Sequence, residues 1–145
     1  MTLAAYHGAS IWQFSRILND CLSKALQPIV RRYGITQQQA QLLFSVHKNK
    51  NVTVGSLASR LGLARTNASA MCKKLATMGF LKRHRRADDE RVVSVVLTDM
   101  GKDAVLAIES RIEKVYLENY INMEEVEKMM ESFSQLSTRL MEETE

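Results

Sequence analysis

The sequence predicts a mainly α protein with one small β-hairpin, an α+β chain of 145 residues. Three observations predict it. There are only six glycines and a single proline, so breaks are few. Apolar residues recur at steps of three and four along most of the chain. That period gives way to alternation in one place only, residues 80–97.

Residues 9–29 read as the first helix. Ile11, Phe14, Leu18, Cys21, Ala25 and Ile29 fall on one face, widened by Trp12, Leu22 and Leu26. Pro28 and Gly34 mark its end region. Thr36 and Gln39 have the spacing of a capping box. They open a short helix with Ala40, Leu43, Phe44 and His47 on one side. The polar run Lys48-Asn49-Lys50-Asn51 reads as a loop. Thr53 can cap a third helix carrying Leu57, Ala58 and Leu61, which Gly62 breaks. A fourth helix, residues 65–78, has Ala68, Met71, Leu75 and Met78 on its apolar face, with Gly79 just past its end. A short helix, a glycine turn and a second short helix make the helix-turn-helix pattern.

Residues 80–86 then read as a strand, 87–90 as a polar tip, and 91–97 as a returning strand with Val93, Val95 and Leu97 pointing inward. Thr98 caps a long helix striped by Val105, Ile108, Ile112 and Val115. Asn122 and Glu125 are spaced as a capping box for a last helix over 123–143, whose face is Val126, Met129, Met130, Phe133, Leu136 and Leu140.

Apolar residues make up 46% and charged residues 25%, values of a globular chain that exclude disorder. No apolar run reaches the ~18 residues of a membrane span. The start lacks the charge and apolar core of a signal peptide. Two cysteines, Cys21 and Cys72, make no disulfide framework, and the chain reads as cytoplasmic. His7, His47 and His84 are scattered without metal-ligand spacing, and there is no Gly-rich phosphate loop. The expectation is therefore no enzyme, no cofactor and no metal.

Charge is unevenly distributed. The net +4 divides into +5 for residues 1–59, +6 for 60–98 and −7 for 99–145. A basic middle beside an acidic tail is the asymmetry expected where one part meets a polyanion, although solvated helix faces would also give it. The fourth helix presents Arg65, Thr66, Asn67, Ser69, Ala70, Lys73 and Lys74. Small polar residues there can reach base edges in a major groove, while Lys73 and Lys74 reach phosphates. Lys82, Arg83, Arg85 and Arg86 on the next strand and Arg91 beyond the tip extend the basic stripe.

Three features together resemble the MarR family of winged helix-turn-helix regulators: the opening TVGSLASRLGL at 53–63, the tip Asp89-Glu90-Arg91 followed by VVSVVLTDMG ending at Gly101, and one helix before with two long helices after. The resemblance implies a winged helix-turn-helix with N- and C-terminal dimerisation helices. Residues 1–35 and 99–145 would form the helical dimerisation region, and 36–98 the DNA-binding domain. It implies a homodimer that binds double-stranded DNA at a pseudo-palindromic operator, acting as a repressor that a small aromatic or phenolic effector releases. Arg91 would enter the minor groove, oriented by Asp89; a polar turn with an incidental ion pair is the alternative. Two departures stand out. Ala64 replaces a capping residue, and Ala70 stands where an arginine is common.

Apolar faces at both ends of the chain are longer than a monomer this size easily covers, and Phe14, Leu18, Phe133, Leu136 and Leu140 are the candidate dimer contacts. Trp12, Arg16 and His47 could line the effector crevice that the resemblance implies, or serve as packing and surface charge. Cys21 and Cys72 fit small apolar or tolerated positions, against a redox-sensing role known among similar regulators. A dimeric winged-helix module that binds protein without specific DNA is the alternative function.

Overall fold

The computed structural model describes residues 3–85, 92–119 and 122–142, with side chains at 11–85, 92–119 and 122–139. Its elements run α1 (Leu3–Tyr33), α2 (Gln37–Lys48), α3 (Val54–Arg60), α4 (Arg65–Thr77), β1 (Leu81–Arg85), β2 (Val93–Leu97), α5 (Asp99–Glu118) and α6 (Met123–Glu142). The fold class matches the sequence reading, and the chain divides into two compact units, Met1–Ile112 and Glu113–Glu145.

The core of the first unit is built from Leu42, Leu43, Leu57, Cys72, Leu75, Phe80, Val95 and Val105, all fully buried. Local signals explain its entry points. Thr36 Oγ1 accepts from Gln39 N while Gln39 Oε1 accepts from Thr36 N, the reciprocal cap expected at α2. Thr53 and Ser56 repeat the device at α3. Gly62 and Gly79 have φ of 61° and 88°, the left-handed geometry that ends α3 and α4.

The hairpin is antiparallel, with Leu81 opposite Leu97, Arg83 opposite Val95 and Arg85 opposite Val93. A third segment joins it that the alternation signal was too short to reveal. Val95 N donates to Val52 O at 2.9 Å, and Thr53 bridges Ser94. Thr53 thus ends a β pairing and starts a helix in one residue.

Four expectations are corrected. The first helix runs well past 29, with Pro28 inside it. The proline forfeits one N–H bond, but Leu26, Ile29, Val30 and Tyr33 pack on the core in those turns, and Arg111 Nε donates to Ala25 O at 2.9 Å beside the break. Gly34, with φ of 64°, is the actual stop. In α2 the buried face is Gln39, Ala40, Leu42, Leu43 and Val46, and His47 is exposed. In α4 the buried line is Ala68, Cys72 and Leu75, with Met71 only half-buried. Two stripes at steps of three and four run along α4, and the one carrying the smaller Cys72 faces the core. Cys21, expected on a covered face, is exposed together with Ile11, Phe14, Ile17, Leu18 and Leu22.

The second unit holds the end of α5 and the amphipathic α6. Asn122 Oδ1 accepts from Glu124 N at 3.0 Å, so the cap bond goes to Glu124 and not to the expected Glu125 position. Met129, Met130, Phe133 and Leu136 are exposed on α6.

The start of α5 is seated on the hairpin by unusually close packing. Thr98 Oγ1 donates to Gly79 O at 2.6 Å and accepts from Gly101 N at 3.1 Å, while Thr98 N donates to Phe80 O at 3.0 Å. A Cβ on Gly101 would stand 2.2 Å from the Phe80 carbonyl oxygen. Alanine favours a helix interior over glycine by about 1 kcal/mol, yet here the clash outweighs it. Gly101→Ala is expected to destabilise the fold by about 1–3 kcal/mol in chemical denaturation; an unchanged or raised midpoint would contradict that contact.

Candidate nucleic-acid interface

At about 100° per residue, the buried line of α4 fixes what its other sides present. Thr66, Ala70, Lys73 and Thr77 form the crest directly opposite the core. Arg65 and Ser69 lie on the flank toward the hairpin, and Asn67 and Lys74 on the flank toward α2. The surroundings agree. Arg65, Thr66 and Ser69 line a concavity of about 370 Å³ with Thr53, Val54, Gly55, Val92 and Val93. Asn67, Ala70, Met71 and Lys74 line another of about 330 Å³ with Gln38, Gln39 and Leu63. The expected reading residues are therefore split between two sides of one helix, which their adjacency in sequence conceals.

Arg65, Thr66, Asn67, Ala70, Lys73 and Lys74 are exposed and Ser69 is half-buried. Ala64, the N-cap of α4, makes no side-chain cap bond, as its residue type implies. The first-turn N–H groups are left for solvent or an anion.

Strand pleating divides the basic run on β1. Leu81, Arg83 and Arg85 share the face of buried Val95, whereas Lys82 and His84 share the face of exposed Val96. Arg85 is exposed; Arg83 is half-buried, and its Nε is buried without a hydrogen-bond acceptor among the described residues. Arg86, Asp89 and Arg91 lie outside the described residues.

The sequence reading missed Gly55, the second residue of α3. The Arg65 guanidinium comes up to the side of Gly55 where a side chain would start: a Cβ at Gly55 would stand 3.0 Å from Arg65 Nη2, 3.4 Å from Nε and 3.6 Å from Cζ. The available signal was a glycine inside a capped helix, which costs about 1 kcal/mol relative to alanine unless something approaches closely.

The candidate effector residues are only partly assembled. Trp12, 81% exposed, and Arg16 line an open groove of about 620 Å³ along α1 with Gln13, Ser15 and Asn19. His47 lies instead 3.9 Å from Glu109 Oε1 of α5. Of the candidate dimer contacts, Phe14, Leu18, Phe133 and Leu136 are exposed. Leu140 lies on α6, and its side chain is outside the described residues. Among the described residues no cluster of His, Cys, Asp or Glu could hold a metal ion, and no helix is long and apolar enough to cross a membrane.

A helix-turn-helix followed by a hairpin, with one long helix before it and two after it in chain order, defines the winged helix-turn-helix class of MarR type. The SarA/Rot model of transcriptional regulators matches residues 24–108, more than half the chain. The chain belongs to this MarR-like SarA/Rot family of transcriptional regulators. The transcriptional regulator SarZ of Staphylococcus epidermidis is 24% identical over 115 residues, covering 79% of this chain and 78% of SarZ. Two solved structures share the fold. NadR in complex with 4-hydroxyphenylacetate superposes with a TM-score of 0.75 at 20% identity, over 87% of this chain and 91% of NadR. The repressor CouR bound to a 23-mer DNA duplex gives 0.74 at 17% identity, over 94% and 98%.

Cys72 bears directly on the stability of α4. Its thiol is fully buried, and burial pushes its pKa up, with the nearby Arg83 charge pulling it partly back. A raised folded-state pKa holds the proton in the native state. The stabilisation is complete below the ordinary thiol range, near ~8.5, and is lost as pH rises through the folded value. Stability measured from pH 7 to 10.5 should fall more steeply in the wild type than in Cys72→Ala. Parallel profiles would show that the Cys72 proton is not linked to folding.

Proposed function

We propose that this protein is a sequence-specific, double-stranded DNA-binding regulator, without catalytic activity, that acts in the cytoplasm as a homodimeric repressor. The observation that carries the reading is α4: an exposed crest of Thr66, Ala70 and Lys73 between two polar and basic flanks, on a helix whose opposite side anchors the core. A helix so mounted can enter a major groove without surrendering its own packing. CouR, which shares the fold, is a repressor seen on a DNA duplex.

In this reading residues 36–98 form the winged DNA-binding domain. Residues 1–35 and 99–145 supply the dimerisation helices; the exposed Phe14 and Leu18 of α1 and Phe133 and Leu136 of α6, together with Leu140, are covered by a second copy of the chain. Two copies would meet a pseudo-palindromic operator. Asp89 and Arg91 serve the minor groove beside each half-site, Arg91 inserting and Asp89 orienting it. Lys73, Lys74, Arg85 and Arg86 contact phosphates. A small aromatic or phenolic effector, of the kind NadR holds, fits the chemistry of Trp12 and Arg16: a ring to stack on and a cation for a phenolate or carboxylate.

The test begins with DNA selected in vitro for binding, followed by affinity measurements at several salt concentrations. Specific binding with a steep salt slope is expected. Lys74→Ala should weaken binding to all sequences and reduce that slope by about 1. Asn67→Ala should relax preference at one position per half-site, by about 1–3 kcal/mol against the preferred base. Affinity that does not change with salt would support the protein-binding alternative, and equal losses on selected and random DNA for Asn67→Ala would exclude base reading by that residue.

A further inference from the structure

The concavity between α4 and the tip-side end of β2 has a floor and walls of unlike chemistry. Val54, Val92 and Val93 make it apolar on one side; Arg65, Thr66 and Ser69 face it from α4. Among the described lining residues Arg65 is the charged one, and its guanidinium occupies the side of Gly55 that a side chain would otherwise take, 3.0 Å from where a Cβ would stand. On the α4 wheel Arg65 is well away from the crest, so a helix lying in a groove would point this residue at the groove wall and not at base edges.

We infer that this notch is a seat for one DNA backbone phosphodiester, with the Arg65 guanidinium as its anion clamp and Gly55 as the residue that positions the clamp. The inference rests on the DNA-binding reading above and adds a contact to it. If α4 occupies a major groove and the hairpin the neighbouring minor groove, the structure between them must receive what separates those grooves, the sugar–phosphate strand. The notch lies at that place. Its valines suit a deoxyribose edge, and the Thr66 and Ser69 hydroxyls can donate beside Arg65 to phosphate oxygens. A planar guanidinium can sit beside a glycine and still offer paired N–H donors to a phosphate. Lysine, a point charge on a flexible stem, would not be held this way.

The experiment uses the full-length protein and a duplex selected for binding, with the salt slope measured for wild type, Arg65→Ala, Arg65→Lys, Gly55→Ala, Gly55→Leu and Gly55→Leu/Arg65→Ala. Arg65→Ala is expected to lose roughly tenfold in affinity on specific and random DNA alike and to lower the slope by about 0.9, one phosphate contact. Gly55→Leu should reproduce both effects by evicting the guanidinium, and should add little once Arg65 is gone. Gly55→Ala, which favours the helix and intrudes less, should show a smaller loss with an unchanged or raised melting temperature. It stands in if the leucine variant does not fold. Single neutral methylphosphonate linkages, scanned along the duplex, should reveal one linkage per half-site that weakens the wild type and leaves Arg65→Ala unaffected. Wild-type slopes in Arg65→Ala, fully additive losses in the double variant, or no such linkage would overturn the assignment while leaving DNA binding intact. A wild type that binds no DNA would overturn both readings.

Discussion

The close seat of Gly101 on the Phe80 carbonyl organises the first unit. No side chain larger than hydrogen fits there. The start of α5 can therefore descend onto the end of α4 and the start of β1, and Thr98 stitches all three with one hydroxyl and one amide. With α5 seated, Ala104, Val105 and Ile108 reach the same core as Leu75 and Phe80. Tyr33 closes it from α1, its ring edge-on to Phe80 at 6.2 Å between centroids. The hairpin and α4 are thus held by one junction, which matters if both must engage a duplex at once. The wing does not depend on its two strands alone, a pair too small to be stable in isolation; the Val52–Thr53 segment and α5 brace it.

Much of this was legible in the sequence because the signals were local. The capping boxes at Thr36 and Thr53, the glycine stops at 62 and 79, the alternation through Val93, Val95 and Leu97, and the LTDMG run ending at Gly101 each fix backbone geometry within a few residues. What failed were rotations and long-range effects. His47 follows the apolar period of α2 yet falls outside the buried sector, because Leu42, Leu43 and Val46 fill it first. Cys72 carries less hydrophobic weight than Met71 but sits nearer the helix's core side. Pro28 reads as a terminator, yet core contacts on both sides of it keep α1 helical. The Val52–Thr53 pairing has no period to detect.

The interface was legible as a composition and obscure as a geometry. Sequence order places Arg65, Thr66, Asn67 and Ser69 together, whereas the helix distributes them over a crest and two flanks. The basic run at 82–86 looks like one stripe, but pleating sends Lys82 and Arg83 to opposite faces. Gly55 carried no chemistry of its own and became informative only through the side chain that comes up to it. The exposed apolar rows of α1 and α6 are of a different kind. Their period was plain in sequence, and their exposure in a single copy is what makes a second copy of this chain their proposed cover.

The central claim, two copies each laying α4 in a major groove, is tested most directly by methylation protection of guanine N7 on a selected duplex. N7 lies in the major groove, so the account predicts two protected patches on one face of the duplex, centred about one helical turn apart. A single patch, or saturated binding with no N7 protection, would contradict it.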